Sequence, residues 1–598
     1  MAVGGTSRRR HLAVIAGAAL LLLPGLGLVD AWAPDEPRYL EVAEELRAME
    51  RGPSDLVLLH LNGRPYDQKP PLYFWLAALA GAPAGRVTEG AARLPSALAG
   101  VAVVALTLGL GARLLGGPTG TLGAALLVTV FSFSHLARRV QLDVLLAAFE
   151  TAALALFWRI DRGIGRRGLQ VSALHALLGL AVLTKGPVGF LVPLLVATAY
   201  LASERRLREL GRAFPLWALP LSLGPGIAWI VAAQAVAPAG FAEGALGENL
   251  LGRFFQGTSH ARPFYYYLYT FPLDFLPWTL LWAAVWGAGR GLFAAPGAAP
   301  PPVERRASRA DAEAEGRALG LHGERRRESA RRAWRFLLAW VGASVVFFSL
   351  SGGKRGLYLL PAYPAAALLC ADALVRTLAG RSSLPRSLGV PLAIAAGLVA
   401  ALGATAILGA TVGPSVERLR DLLATLELPW LLAFGCGALA AVAAALAAWI
   451  VAGRHRVAAI RRLWVALAGA FAVELAVFFL LYPALDPGRS PRPIAEAAAA
   501  VTAPDEPVAL VSERPMIGGL AYYGDRRVAP VRSEQSIRRF LDAGGRTFVV
   551  KARKLERVTA VTPVREVARV RAGRRAVLVV QAAPPAAAPP LSGAEPVR

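Results

Sequence analysis

Long apolar stretches separated by short polar connections recur along the chain as far as about residue 485. A helix needs roughly 20 apolar residues to cross a bilayer, so the pattern predicts an all-α polytopic domain over residues 1–485 with about thirteen transmembrane helices. Leu72–Ala84 is too short to span and is predicted to be a surface or re-entrant helix. The predicted spans are His11–Val29, Ala91–Leu114, Thr119–Leu136, Leu142–Trp158, Leu169–Thr184, Pro187–Ala202, Phe214–Val236, Phe271–Gly289, Trp334–Leu350, Leu357–Val375, Leu388–Val412, Pro429–Val451 and Leu463–Leu481.

The connections between these spans alternate in charge. If Arg8–Arg10 lies in the cytoplasm, as part of an uncleaved signal anchor, every second connection is basic, as the positive-inside rule requires. Counting Leu72–Ala84 as a span would invert every later connection. The C-terminus and the net acidic loop Asp30–Tyr73 are therefore predicted on the outer side. The basic connections are Arg159–Arg167, Glu204–Arg212, Arg290–Arg332, Arg376–Arg386 and Arg454–Arg462.

Composition supports the same class of protein. The chain of 598 residues is 55% hydrophobic, and its net charge is +25. A strongly basic chain can bind nucleic acid, but arginines in cytoplasmic connections explain this charge without such a partner. The two cysteines, Cys370 and Cys436, fall inside apolar runs and predict no disulfide framework. We therefore expect a multi-pass protein of the cytoplasmic (inner) membrane.

Two segments have a soluble composition. Residues 291–332 are Ala/Pro-rich and then densely charged, which predicts a largely disordered cytoplasmic insert. Residues 486–581 are predicted to form a small extracytoplasmic α/β domain, followed by a disordered tail over residues 582–598. Its predicted elements are strands at Val508–Ser512, Thr547–Lys551 and Ala576–Val580, and a helix over Ser533–Asp542 that Ser533 caps.

The acidic loop Asp30–Tyr73 concentrates candidate chemistry. Asp35 and Glu36 precede Pro37, which suits the first turn of an amphipathic helix, and Lys69 precedes two prolines. The segment thus fixes two carboxylates and a cation at a membrane face. Taken alone, this segment fits two interpretations equally well. One is a site of chemistry, and the other is a capped interfacial helix with a lysine that reaches the lipid headgroups.

Further charges fall at the predicted outer boundary of the membrane. Any one of them fits a residue flanking a span, but several bases around an acidic loop suit the phosphate of a lipid carrier. An ion pathway would instead place charges at the bilayer midplane. The residues concerned are Asp143, Lys185, Arg253, His260, Arg262, Lys354 and Arg355, with the aromatic run Phe264–Tyr267 beside them.

These residues resemble the motifs of the GT-C glycosyltransferases, in the branch that contains the lipid A aminoarabinose transferases and the protein O-mannosyltransferases. The resemblance covers most of the chain up to Pro483. Its motifs are Asp35–Tyr39, Gly63–Tyr73, Leu142-Asp143, Thr184–Gly186, Arg253–Phe255, His260, Arg262-Pro263, Pro277-Trp278, Ser351–Lys354, Tyr358 and Pro361.

The resemblance implies roles for individual residues. Asp35, Glu36 and Asp143 would be catalytic, with Asp35 the acid of the first loop and Asp143 the second acid. The residues that would bind the donor or the acceptor are Lys69, Lys185, Arg38, Tyr66, Arg262, Lys354 and Tyr358. Among these, Lys69 and Lys185 would hold the donor phosphate, and Tyr358 would line the donor site.

One position departs from the family pattern. The family usually has glutamate just before the lysine, where a divalent metal can bind, and this chain has Gln68. An amide is a poorer ligand for such a cation than a carboxylate. The sequence therefore assigns no metal ligand and no cofactor, and it leaves metal dependence open.

These observations lead to a functional hypothesis. The chain is expected to move a sugar from a polyprenyl-phosphate donor to an acceptor at the outer membrane face, with inversion. The acceptor, whether lipid A, another glycan or a protein, and the sugar are not determined by the sequence. The alternative is a transporter or flippase that binds the lipid carrier without sugar transfer.

The predicted topology can be checked with reporter fusions. Fusions after Arg162 and Arg381 should report the cytoplasm, and fusions after Asp55 and Gly524 should report the outer side, because basic connections stay inside. Enzymatic reporters that work on only one side of the membrane give the measurement. A cytoplasmic signal from the fusion after Gly524 would overturn the predicted topology.

Overall fold

The computed structural model describes residues 2–241, 243, 244, 247, 252, 261–294, 309–378, 456–511, 516–572 and 575–583. These residues form two compact units. The membrane unit comprises the described residues of Met1–Val29, Ala43–His60 and Pro65–Ala484. The small unit comprises Asp30–Val42, Leu61–Arg64 and the described residues from Leu485 onward.

Helices make up the membrane unit. In chain order they are α1 (Ala2–Leu22), α2 (Glu36–Ala48, which begins in the small unit), α3 (Leu72–Gly81), α4 (Glu89–Leu115), α5 (Gly117–Val128), α6 (Phe131–Ala137), α7 (Leu142–Asp161), α8 (Arg167–Lys185), α9 (Val188–Ser203), α10 (Leu219–Val236), α11 (Tyr266–Asp274), α12 (Trp282–Phe293), α13 (Arg309–Leu350), α14 (Tyr363–Leu378), α15 (Arg456–Ala476) and α16 (Tyr482–Leu485). A two-stranded hairpin, β1 (His60–Leu61) with β2 (Arg64–Pro65), follows α2.

Six helical segments among the described residues are long and apolar enough to span a membrane, or seven if one bent pair is counted as a span. The chain is therefore a multi-pass membrane protein, but the prediction of about thirteen spans is not confirmed. Predicted spans Leu388–Val412 and Pro429–Val451 lie outside the described residues. The six segments are Glu89–Leu115, Arg167–Lys185, Leu216–Val236, Arg325–Leu350, Gly356–Leu378 and Leu463–Gly488.

Two predicted spans are broken in the structure. Thr119–Leu136 is two helices, α5 and α6, bent by 68°. At the break, the Thr129 hydroxyl donates to Ala125 O at 2.8 Å and accepts the indole N–H of Trp278 at 3.0 Å. Phe271–Gly289 is divided between α11 and α12, because Pro277 lacks the backbone N–H that a continuous helix needs.

A five-stranded mixed sheet forms the centre of the small unit. The strand order is β4-β3-β5-β7-β6, with β3 parallel to β4 and β5, and β7 antiparallel to β5 and β6. Its apolar core includes Val511, Val531, Phe540, Phe548 and Val580. The elements are α17 (Arg492–Ala499), β3 (Val508–Val511), α18 (Ile517–Gly524), β4 (Val528–Val531), α19 (Glu534–Asp542), β5 (Thr547–Lys551), α20 (Glu556–Thr559), β6 (Val564–Ala572) and β7 (Arg575–Ala582).

The three strands predicted here are confirmed as β3, β5 and β7, and the predicted helix is α19. Ser533 caps α19 as expected, since its hydroxyl accepts the Ser536 N–H at 3.3 Å. Strands β4 and β6 were not predicted. Pro530 weakens the strand pattern of β4, and charged residues alternate with apolar ones along the outermost strand β6.

The segment over residues 291–332 differs from the expected disorder in its second part, because α13 begins at Arg309. Residues 309–332 are rich in Ala, Glu and Arg, which are strong helix formers. Glu328 and Arg332 also form an i,i+4 pair at 3.2 Å. Residues 295–308 lie outside the described part of the chain.

Candidate active site

Two consecutive helices of the membrane unit bring an acid and a base together. Helix α7 begins at Leu142, α8 ends at Lys185, and residues 162–166 connect them. The two helices pack as a hairpin, so the start of α7 lies beside the end of α8. Asp143 in the first turn of α7 and Lys185 in the last turn of α8 each have the sign of charge that the local helix dipole favours.

Gly186 ends α8 directly after the lysine. Its φ of +83° lies in the left-handed region, which a residue without a Cβ adopts at little cost. The Gly186 N–H donates to Val182 O at 2.7 Å, which closes the last turn. The Thr-Lys-Gly sequence therefore fixes the point at which the Lys185 side chain leaves the helix.

Asp143 and Lys185 form a buried ion pair. The Lys185 Nζ donates to Asp143 Oδ1, and only 5% of the Asp143 side chain and 11% of the Lys185 side chain are exposed. The Gln141 amide donates to the other carboxylate oxygen of Asp143 at 3.0 Å. Both carboxylate oxygens are thus engaged, as a buried charge requires.

An aromatic ring supports the same lysine. The Lys185 Nζ lies 4.2 Å from the centroid of the Tyr358 ring, a cation–π distance. Tyr358 lies on the 3-10 turn Gly356–Ala362, and its ring contacts Phe348 with a centroid separation of 5.6 Å. The ammonium group is therefore held between a carboxylate and a π face.

Lys185 also lines a cavity of about 290 Å³, and Lys69 lines the same cavity. Asp67 adds a carboxylate to the lining, and Gln68 adds an amide. Apolar residues form the remaining walls, among them Val182, Leu223, Ile227, Trp229 and Ile230. The structure thus places at one site the two lysines that the resemblance assigned to the donor phosphate.

The wall helix α10 is fixed to the loop before Lys69. The Trp229 indole N–H donates to Val57 O at 2.9 Å, and Trp229 packs with Leu58 and Leu183. This contact connects the end of α8, the middle of α10 and the loop. The cavity is consequently formed by three segments that are far apart in the sequence.

The residues at the cavity do not fit a divalent cation held by carboxylates. Among the described residues that line it, Asp67 is the one carboxylate and Gln68 supplies an amide. Both oxygens of the nearby Asp143 already accept hydrogen bonds from Lys185 and Gln141. Within the described ranges, no group of three or more His, Cys, Asp or Glu side chains could hold a metal ion. A lysine-rich lining also disfavours a cation.

Lys354 has a different environment from Lys185. Its side chain is buried, and its Nζ donates to Arg262 O at 3.0 Å and to Ser351 O. A β-bridge between Ala261 and Gly353 runs beside these bonds. Burial lowers the pKa of the Lys354 ammonium. Lys354 therefore joins the turn after α13 to the segment before α11.

Two further predicted site residues, Tyr66 and Arg262, have separate surroundings. Tyr66 is buried, with its ring edge-on to Phe74 at 6.0 Å between centroids. The Arg262 side chain is exposed. Arg253 and His260 lie outside the described residues.

The acids of the first loop belong to the small unit. Asp35 Oδ1 accepts a hydrogen bond from Arg38 Nη2 at 2.7 Å, and 15% of the Asp35 side chain is exposed. Glu36 is buried, and its Oε2 accepts the Trp32 N–H at 3.3 Å. The start of α2 is therefore organised by contacts among Trp32, Asp35, Glu36 and Arg38.

Sequence reasoning missed Glu150. This residue is fully buried on α7, and neither carboxylate oxygen has a hydrogen-bond partner among the described residues. It follows Asp143 by about two helical turns, on the same face of the helix. A glutamate within an apolar span is itself a signal of function, and this signal was available in the sequence.

Comparison with known proteins agrees with this architecture. Residues 8–224 match the family model described as dolichyl-phosphate-mannose-protein mannosyltransferase. The solved structure of ArnT from Cupriavidus metallidurans bound to undecaprenyl phosphate superposes with a TM-score of 0.69. That match covers 95% of this chain and 97% of that chain at 21% identity, and it shows the fold. The match to the family model and the shared fold agree with the resemblance to the GT-C group that contains the aminoarabinose transferases and the protein O-mannosyltransferases.

Proteins similar in sequence include two from Pseudomonas species. The undecaprenyl phosphate-alpha-4-amino-4-deoxy-L-arabinose arabinosyl transferase of Pseudomonas savastanoi pv. phaseolicola is 29% identical over 389 residues, which is 64% of this chain and 65% of the relative. A Pseudomonas fluorescens protein named transferase 1 of the same kind is 31% identical, over 63% of this chain and 62% of the relative. The chain therefore spans somewhat less than two thirds of the length of these relatives. The resemblance stated from the sequence motifs is confirmed.

The residues that line the cavity predict that the protein is insensitive to metal chelation. Addition of EDTA to the purified full chain should leave its thermal unfolding midpoint and any sugar transfer unchanged, because the cavity lacks a carboxylate-rich ligand set. Gln68→Glu, which restores a carboxylate, is the matched comparison. A loss caused by EDTA in the wild-type chain and reversed by one added divalent metal would contradict this prediction.

Proposed function

We propose that the chain is a membrane glycosyltransferase that transfers a sugar from a polyprenyl-phosphate carrier to an acceptor at the outer face of the cytoplasmic membrane, with inversion. The observation that carries the proposal is the single cavity that combines Lys69 and Lys185 with a wall of apolar side chains. Such a cavity suits a ligand with an anionic head and a hydrocarbon chain. The names of the sequence relatives, which are arabinosyl transferases acting on an undecaprenyl-phosphate sugar, support the same class of donor.

The proposed chemistry is one displacement at the anomeric carbon of the donor. The acceptor oxygen forms the new bond, the bond from carbon to the carrier phosphate breaks, and the phosphate leaves with the electron pair. Negative charge grows on that phosphate in the transition state, and the lysines at the cavity stabilise it.

The two acids have different proposed roles. Asp143 has both oxygens engaged and holds Lys185 in position, so we assign it to positioning of the phosphate-binding lysine. Asp35 is more exposed, and we assign it as the base that accepts the acceptor's proton. If the acceptor is itself a phosphate, as in lipid A, a base is less necessary and Asp35 mainly orients groups. Roles in catalysis or substrate binding are also proposed for Glu36 and Arg38 of the small unit, and for Tyr66 and Tyr358 of the membrane unit.

The proposal includes an orientation. The small unit and the Asp30–Tyr73 loop are placed on the outer side of the membrane, on the evidence of the basic connections assigned to the cytoplasm. The acceptor is a lipid, a glycan or a protein that is reachable from that side. No nucleic acid takes part.

A transporter of the lipid carrier would also use a cavity with cationic and apolar sides. The relatives named as transferases do not favour it. Incubation of the purified chain in detergent with a polyprenyl-phosphate sugar and an acceptor separates the two functions, because only a transferase releases free polyprenyl phosphate and glycosylated acceptor.

Removal of either cavity lysine should weaken donor binding and slow transfer. Lys69→Ala and Lys185→Ala each remove a charge-assisted contact worth about 1.5–3 kcal/mol, which corresponds to roughly a 10- to 100-fold weaker Kd. Donor affinity and initial rate are measured on the same preparations. Lys554→Ala, in the small unit, is the matched control and should change neither. Unchanged donor affinity in both cavity variants would contradict the assignment.

Asp35→Asn should separate chemistry from binding. The amide keeps the size and most hydrogen bonding of the carboxylate but cannot accept a proton, so turnover should fall by roughly 100-fold with donor affinity nearly intact. Initial rates at saturating donor are compared with those of Asp143→Asn, which is expected to weaken donor binding as well. A normal rate for Asp35→Asn would leave Asp35 as a structural residue.

A further inference from the structure

The start of the acidic segment, Asp30–Val42, is bonded to the chain that follows α16. Asp486 accepts the Trp32 indole N–H at 2.6 Å through Oδ1, and its two oxygens accept the Asp30 N–H at 3.2 and 3.1 Å. Arg489 lies over the Trp32 ring, 5.0 Å from its centroid. A single carboxylate from the C-terminal part of the small unit therefore fixes two residues located just before Asp35.

Residues further along the same C-terminal part hold this segment through a second set of bonds. Asp30 pairs with Arg492 at 2.6 Å and accepts the Ser490 hydroxyl at 2.6 Å. The Ala31 N–H donates to the Tyr523 hydroxyl at 2.7 Å, and Tyr523 also lies 4.6 Å below the Arg492 guanidinium. Charged and neutral contacts from α17 and α18 thus hold the segment together.

Helix α18 touches the acidic segment at its glycines. A Cβ at Gly518 would lie 2.5 Å from Arg38 Cα and 2.7 Å from Arg38 N, distances that real Cβ atoms do not show. A Cβ at Gly519 would lie 2.7 Å from the Pro491 ring and 3.5 Å from Pro37. The first turn of α2, directly after Asp35 and Glu36, therefore packs on backbone rather than on side chains.

The second part of the loop is held at the edge of the sheet. The Asn62 side-chain amide donates to Val528 O at 2.7 Å, and its oxygen accepts the Val528 N–H at 2.8 Å. Asn62 thereby occupies one hydrogen-bonding position of edge strand β4 as a neighbouring strand would. Both segments of the loop in the small unit, Asp30–Val42 and Leu61–Arg64, are thus bonded to its C-terminal part.

We propose that the C-terminal α/β part of the small unit is the positioning element of the acidic segment, and that sugar transfer depends on this docking because it holds Asp35 and Glu36 in one conformation. The inference rests on the proposed function. Its physical basis is that a general base displaced by about 1 Å from its working position loses much of its effect, up to about 100-fold. Donor binding at Lys69 and Lys185 belongs to the membrane unit and does not depend on the docking.

The test uses the full chain in membranes or detergent. Gly518→Ala pushes directly on the Arg38 backbone, while alanine suits the interior of α18 better than glycine, so the helix itself is not weakened. Asn62→Ala removes the two bonds to β4 and provides a second variant, should the first fail to fold. Ser533→Ala is the control, because it removes the cap of α19 in the same unit, and the hydrogen bonds of the Ser533 hydroxyl are with Ser536.

Two measurements are made on each variant. Hydrogen exchange of peptides covering residues 30–42 reports docking without any reference to activity, and initial rates over a range of donor concentrations report kcat and the KM for donor. We expect faster exchange in that segment and a kcat lowered by roughly tenfold or more in both docking variants, with an unchanged KM for donor. The control should leave both quantities at wild-type values.

The outcomes separate this inference from the proposed function. Faster exchange with a normal kcat would overturn the inference, and so would unchanged exchange in both docking variants. An equal fall of kcat in Ser533→Ala would also overturn it, because any loosening of the unit would then suffice. A wild-type chain that transfers no sugar from any polyprenyl-phosphate donor would refute the proposed function and with it the catalytic part of the inference, while exchange would still report the docking.

Discussion

The buried pair of Asp143 and Lys185 is the interaction on which the proposed site depends. Two charges at the ends of neighbouring helices have been taken out of water, and each is tolerated because the other is present. Loss of one partner would leave an uncompensated charge, at a cost of about 3–5 kcal/mol in comparable proteins. The hairpin of α7 and α8, the amide of Gln141 and the ring of Tyr358 all serve to keep this pair in place.

The pair also explains how a cation can remain ready for an anionic ligand inside a membrane protein. A lysine held only by solvent would lose its charge or leave the cavity on burial. The Asp143 carboxylate compensates the Lys185 ammonium group, and the π face of Tyr358 constrains the direction of the lysine side chain. The ammonium can then contact a phosphate at the cavity without a large rearrangement of the protein.

The sequence was sufficient to predict individual residues of this site, but not which of these residues contact each other. Asp143 and Lys185 could be placed at the outer ends of their spans from hydropathy and loop charge, but nothing in a single sequence identifies them as partners. No proline marks the break between α5 and α6 in the sequence. At this break Thr129 accepts a hydrogen bond from Trp278, which is distant in the sequence. Strand β6 was missed because its charged residues suit an edge position, which only the assembled sheet defines. Lys354 was read as a ligand-binding cation, whereas its carbonyl partners come from the turn at Ser351 and from Arg262.

The position of Ile227 bears on how a lipid would reach the cavity. Its side chain lines the cavity, yet 58% of it is exposed on the surface of a helix suited to span the membrane. An apolar side chain with this exposure, on a helix long and apolar enough to cross a membrane, suits contact between the cavity wall and lipid. A carrier with a long tail can present its phosphate from within the bilayer, so its occupancy follows its mole fraction among the lipids rather than any aqueous concentration.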